Sequence, residues 1–255
     1  KHLLAHTQAR FILAGRSAEK ARTLAAQLGD PRVTSLQTDA ANPASFKAAL
    51  RGVDLCLVAA PTTHQAEGVI QACLEAGVDY LDVQFSSAKL AALFNAAPAI
   101  TKAGLCFVTE AGYHPGLPSA MVKYAASRMD TLESAFTAGY LNVGPMADTE
   151  AVDELMESFI HYNAQVFKDG RWTAPQKWEM RKFDFGEGIG AKTCYSMFFE
   201  ELRCLPDLYP TLKNTGFYIS GWNWFADLLV TPLVMAGLKI APKRGLRPMG
   251  KLMWW

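Results

Sequence analysis

Between residues 1 and 110 the sequence alternates short runs of continuous hydrophobicity with Ala-rich amphipathic stretches, and this alternation is the strongest constraint on its fold. Apolar or β-branched runs over 10–14, 33–38, 54–59, 80–83 and 105–108 predict strands. The stretches between them, 18–28, 43–50, 64–75 and 88–102, predict helices, with Ser17 and Asn42 as N-caps and Gly29 and Gly77 as C-terminal stops. Val69, Ile70, Cys73 and Leu74 form a stripe that would lie on the sheet. Strand, helix and strand joined by short connections make βαβ units, and runs that are apolar at every position suit a parallel sheet covered on both faces. The expected class is α/β with a doubly wound parallel sheet.

From residue 131 the alternation stops. An acidic helical pattern (148–162), a basic aromatic stretch (172–185) and a Trp-rich, Pro-broken segment (217–240) follow, so a boundary is placed between 128 and 131, dividing the chain into domains 1–130 and 131–255. At 255 residues, half of them hydrophobic, the chain is long enough for two modest cores. Its 25 Lys and Arg against 24 Asp and Glu lack the basic footprint of a general nucleic-acid binder. The five cysteines are single, with no C-x-x-C pair. That points to a reducing, cytoplasmic compartment and gives no reason to expect a metal. The opening KHLLAHTQAR has no signal-peptide pattern.

Ligands of open α/β sheets bind beyond the carboxyl ends of the strands, and the residues there carry the candidate chemistry. Gly15-Arg16-Ser17 follows the first predicted strand. An Arg at that place pairs with the 2′-phosphate of NADP, where an acidic residue would accept from the 2′-hydroxyl of NAD; a solvated loop charge is the alternative. Asp39 either approaches the adenine or caps the turn before Asn42. Ala59, Ala60, Pro61 and Thr62 end the third strand with small residues that let a ligand approach the backbone, and His64 beside them reads as a surface residue of the first helical turn.

After the last strand, EAGYHPGLPSAMV (110–122) offers Glu110, Tyr113 and His114 as proton donors, with Asp82 from the preceding strand end. An imidazole both donates and accepts near neutral pH, although a His in a Gly-Pro loop also serves as a structural hydrogen-bonder. Gly112 and Gly116 permit the turn, and Pro115 and Pro118 stiffen it. Arg171, Lys177, Arg181 and Lys182, interleaved with aromatics, would hold a substrate carboxylate, Arg171 and Arg181 bidentately, or would stand as solvated charges on an amphipathic strand. The glycines of 185–190 follow no strand that begins a βαβ unit and are not a dinucleotide loop. Residues 222–240 are too interrupted to span a membrane. They read as a helix closing a cleft or contacting a second subunit, with a membrane-surface helix as the other reading.

In order and spacing, LAGR, the Asp-x-x-Asn pattern, DLCLVAAP with its helix, AGVDYLDV and EAGYHPGLPSAMV together resemble the saccharopine dehydrogenase (saccharopine reductase-like) family. The resemblance covers most of the chain. It implies a Rossmann-like NADP-binding domain followed by an α+β substrate and dimerisation domain, and a homodimer. It also implies hydride transfer between NADP(H) and a small imine, carbonyl or enoyl substrate; the alternative is a non-catalytic, membrane-peripheral protein that keeps the fold. The family pattern opens with a strand and a G-x-G-x-x-G turn whose amides hold the pyrophosphate. Lys1–Gln8 reads as the end of the helix after that turn, so the first strand and glycine loop are expected to be missing, and KLMWW stops short of further expected strands.

Overall fold

The computed structural model describes residues 1–141, 157, 163–175, 179–220 and 229–240, and of Ser87, Thr231, Met235 and Lys239 the backbone alone. Contacts divide the chain into two interleaved units. Lys1–Val58, Thr62–Leu81 and Ser87–Thr109 form the first, and Ala59–Pro61, Asp82–Ser86 and Glu110–Trp255 the second.

The first unit runs α1 (His2–His6), β1 (Phe11–Gly15), α2 (Ala18–Leu28), β2 (Val33–Gln37), α3 (Pro43–Ala49), β3 (Leu55–Val58), a 3-10 turn (Thr63–Gln65), α4 (Ala66–Ala76), β4 (Asp79–Asp82), α5 (Ser87–Ala103) and β5 (Phe107–Val108). The predicted punctuation is present. The Ser17 hydroxyl accepts from the Lys20 amide at 3.2 Å and the Asn42 side chain from the Ser45 amide at 3.1 Å, while Gly29 and Gly77 close their helices in the left-handed conformation. The helix expected from residue 64 starts one element later, because Thr63–Gln65 winds as a 3-10 turn before α4 begins.

The strands form two sheets, β1-β2 and β3-β4-β5, with β1 parallel to β2 and β4 parallel to β5. A doubly wound sheet has the order 3-2-1-4-5-6. Here the first unit contributes the parallel pair β1-β2 and the three-stranded set β3-β4-β5. Ile12 on β1 and Leu55 and Leu57 on β3 are 45%, 49% and 49% exposed. The predicted stripe packs as expected, Val69, Ile70 and Cys73 being buried with Val58, Tyr80 and Leu93. Cys56 packs against Cys73 in that core, and the pairing together with burial pushes the Cys73 thiol up. Arg32 ties α1 down, donating to the carbonyls of Thr7 (2.6 Å) and Leu4 (2.8 Å) while paired with Asp30 at 2.7 Å.

The second unit contains α6 (Leu117–Ala126), β6 (Ser134–Gly139), β7 (Val166–Lys168), β8 (Arg171–Thr173), β9 (Met180–Asp184), β10 (Ala191–Met197), a 3-10 turn (Glu200–Leu202), α7 (Leu205–Leu208), β11 (Asn214–Ser220) and α8 (Thr231–Ile240). β11 is the hub of its six-stranded sheet. β6 lies parallel along one edge, and β7 and β10 share the other, because Thr215 pairs with both Ala135 and Phe167, and Phe217 with both Thr137 and Met197. One face packs Val122 of α6 with Phe199, Leu202, Leu205, Leu212 and Phe217. This packing puts α6 in the second unit. The change of unit therefore falls at Thr109/Glu110, earlier than the boundary read from sequence, because α6 packs on β6. The acidic helix expected at 148–162 lies outside the described residues apart from Glu157, as does 221–228 of the Trp-rich segment.

Leu205 is fully buried in this core and Leu208, one turn on, is 52% exposed. Leu205→Ala should cost about 3 kcal/mol through lost burial and a residual cavity. Leu208→Ala should stay within about 0.5 kcal/mol. Denaturant unfolding of the two variants checks the assignment of the core.

Candidate functional site

The residues that follow β3, β4 and β5 belong to the second unit and are bonded to one another. The Gln84 side-chain amide donates to the Ala60 carbonyl. The Asp82 carbonyl accepts from the Ala111 amide at 2.9 Å, and Asp82 Oδ1 accepts from the amides of Gln84 (2.9 Å) and Glu110 (3.4 Å). Asp82 is wholly buried, so its carboxylate holds these loops in register and acts as a positioning group. Glu110 is 5% exposed and takes a φ of 56°, a left-handed conformation that is uncommon outside glycine and concentrates at functional sites.

The turn that follows is built around its glycines. The Gly112 amide donates to the Pro115 carbonyl at 2.9 Å and the Leu117 amide to the Gly112 carbonyl at 3.1 Å, across a cis His114–Pro115 peptide. Gly116 takes a φ of 125°. A Cβ there would stand 2.6 Å from the Gly112 carbonyl oxygen and 2.7 Å from its nitrogen, and would also strike the Glu110 carbonyl, so only glycine fits. Glu201 completes the turn from far along the chain. Its carboxylate accepts from the amides of Gly116 (2.8 Å) and Ser119 (3.0 Å), and so satisfies orphan donors at the N-terminus of α6 that no local side chain reaches.

This turn places His114 among three aromatic rings. Its centroid lies 4.9 Å from Tyr113, 6.0 Å from Phe199 in a stacked arrangement and 6.0 Å from the edge of Phe217. Nε2 is buried and has no hydrogen-bond partner among the described residues. A buried polar atom left in that state calls for an explanation. Tyr113 is half exposed, and its hydroxyl lies over Gly139, where a Cβ would approach it to 3.1 Å.

In the first unit, Gly15, Arg16 and Ser17 end β1 and Asp39 lies just past β2, the two loops tied together. The Gln37 side chain donates to the Arg16 carbonyl at 3.0 Å and the Thr38 amide to the Gly15 carbonyl at 3.0 Å. The Arg16 side chain is exposed. Ser17 spends its hydroxyl capping α2, and Asp39 Oδ1 accepts from the Ala41 amide, a local turn bond. Ala59, Ala60 and Pro61 are exposed, and Thr62 precedes the 3-10 turn.

Arg171 and Arg181 are not brought together. Through β7, Arg171 stands level with the start of β11, while Arg181, opposite Cys194 and so Ser220, stands level with its end. At 3.3 Å per residue the two levels are roughly 20 Å apart. Arg181 instead lies over the Phe136 ring at 3.6 Å and donates to the Tyr218 hydroxyl at 3.3 Å. The sequence offers no shared site because alternation along a strand carries no information about which strands become neighbours. Lys177 lies outside the described residues. The 185–190 glycines form the β9–β10 turn, Gly186, Gly188 and Gly190 all having positive φ.

One buried cation was not anticipated. Lys89, in the first turn of α5, is 1% exposed, and an ammonium that deep is kept only when paired. The signal for it was helical spacing, since Lys89 shares a buried stripe with Leu93, Ala96 and Ile100. Among the described residues no cluster of His, Cys, Asp and Glu could hold a metal ion, and no helix is long and apolar enough to cross a membrane.

Glu201→Gln keeps the shape of the side chain but removes the charge from the α6 terminus, and should cost about 1–2 kcal/mol. Gly116→Ala should cost about 3 kcal/mol or more. Thermal unfolding monitored by tryptophan fluorescence checks both values and their order.

Residues 1–108 match the saccharopine dehydrogenase NADP binding domain, an end point that coincides with the change of unit at Thr109/Glu110. Over 239 residues the chain is 28% identical to the carboxyaminopropylagmatine dehydrogenase of Synechocystis sp., covering 88% of this chain and 58% of that protein. Its fold matches saccharopine dehydrogenase (L-Glu forming) from Saccharomyces cerevisiae with a TM-score of 0.68 at 18% identity, over 93% of this chain and 55% of that one. The chain thus spans somewhat more than half the length of each. Residues 1–108 thus carry a saccharopine dehydrogenase-type NADP-binding domain, and the chain is similar in fold to saccharopine dehydrogenase.

Proposed function

We propose that this chain serves an NADP(H)-linked oxidoreductase that transfers a hydride between the cofactor and a small imine, carbonyl or enoyl substrate. The match of residues 1–108 to an NADP-binding domain carries this reading. The residues at the strand ends fit such a cofactor. Arg16 stands exposed where β1 ends, at the place that meets the adenosine ribose in a doubly wound sheet, and a guanidinium there suits a 2′-phosphate. Gly15 and Asp39 flank it, with Ser17 opening α2. Ala59, Ala60, Pro61 and Thr62 supply a small-residue turn at the end of β3. No G-x-G-x-x-G turn occurs in the 255 residues.

NADP(H), when bound, supplies the hydride chemistry. The protein's part is to orient the substrate and handle a proton. His114 is the residue for the proton. It is held by the turn that Glu201 anchors, and its Nε2 is buried and without a partner among the described residues, ready to donate to or accept from a reacting nitrogen or oxygen. Tyr113 shapes the approach beside it, and Asp82 fixes the loops from below through backbone amides. Arg171 and Arg181 serve at most one at a time as partners for a substrate carboxylate. A homodimer belongs to the same reading.

Titration with NADPH and NADH, followed by cofactor fluorescence, tests the binding half. Arg16→Glu should weaken NADPH by about tenfold or more, consistent with losing one charge-assisted pair, while NADH changes little. Equal loss for both cofactors would remove Arg16 from the phosphate site. His114→Gln should lower kcat/KM by about a hundredfold or more with NADPH affinity unchanged; unchanged turnover would remove His114 from the mechanism.

A further inference from the structure

A small hollow opens on the face of β6 and β11 that α6 covers, walled by Tyr113, Leu117, Pro118, Met121, Thr137 and Phe217. Three features show it to be built. Thr137 is 91% buried, yet its hydroxyl has no hydrogen-bond partner among the described residues. A strand position against a helix favours Val as readily as Thr, so the hydroxyl is an added cost unless something meets it. Beyond it on β6 stands Gly139, where any side chain would press on the Tyr113 hydroxyl and the Phe217 ring at 3.1 and 3.2 Å. A glycine inside a strand marks such a close approach. Finally, Phe217, paired in register with Thr137, also forms the edge contact with the His114 ring, so the hollow adjoins the residue assigned to proton transfer.

Among the described residues no ionisable side chain other than the Tyr113 phenol lines it. A carboxylate or ammonium entering it would lose hydration with nothing to replace it. We propose that this hollow is a specificity subsite that takes the tip of an uncharged aliphatic arm of the substrate, holding one hydroxyl, amide or carbonyl group against Thr137 Oγ1. The inference rests on the oxidoreductase reading for its biological role, but not for its ligand chemistry. Leu117 and Met121, 43% and 47% exposed on α6, supply the apolar rim along which such an arm would enter.

The test uses the full chain with methyl-labelled methionine and three probes of equal length, 1-propanol, propionate and propylammonium. Chemical-shift titration of the Met121 methyl group, assigned with Met121→Leu, reads binding at the hollow. We expect millimolar binding of 1-propanol and affinities weaker by about tenfold or more for the two ions. Thr137→Val keeps the shape and should lose about tenfold in 1-propanol affinity without loss of thermal stability. Equal binding of the three probes, an unchanged affinity in Thr137→Val, or no response at Met121 would each overturn the proposal. NADPH titration of the same sample keeps the two readings apart: a chain that binds propanol at this hollow but not NADPH leaves the subsite standing and counts only against cofactor binding by these 255 residues.

Discussion

A single carboxylate decides the conformation on which the candidate chemistry depends. Glu201 reaches from the 3-10 turn before α7 to the amides of Gly116 and Ser119, and does two things at once. It satisfies the first turn of α6, which lacks a side-chain cap of its own, and it stops the 112–116 turn from relaxing away from the sheet. Gly116 accepts this arrangement because no other residue could occupy a φ of 125° with backbone oxygens so near. His114 is carried on that turn, so its place among Tyr113, Phe199 and Phe217 follows from an anchor 85 residues away in sequence.

The loops after β3, β4 and β5 are bonded to one another and counted with the second unit rather than with the strands that lead into them. This is a physical version of the rule that open α/β sheets bind ligands beyond the strand ends. The sheet supplies direction, and the loops supply chemistry. Asp82 shows the division within one residue, since it ends β4 but spends its carboxylate on the amides of Gln84 and Glu110.

Much of the first unit was legible in the sequence, for local reasons. Ser17 and Asn42 cap because their side chains reach amides three residues on, and Gly29 and Gly77 stop helices because they tolerate positive φ. The Val69, Ile70 and Cys73 stripe follows from helical periodicity alone. The second unit was less legible. Its strands are short, and β11 collects partners from β6, β7 and β10, pairings separated by tens of residues that no local pattern encodes. That is why Arg171 and Arg181 looked like one cluster and are not, and why Lys89 passed unnoticed although its spacing put it on a buried face.

By itself the sequence determined the βαβ order, the residues at the strand ends, among them Arg16, and a glycine-proline turn bearing a histidine, because each of these rests on residue type and short spacing. Only the tertiary structure decided that Glu201 anchors the turn, that among the described residues His114 Nε2 is buried without a partner and Thr137 carries an orphaned hydroxyl, and that α6 packs with the second unit. Those facts depend on which distant segments meet, and burial, orphaned donors and close approach exist only once they have met.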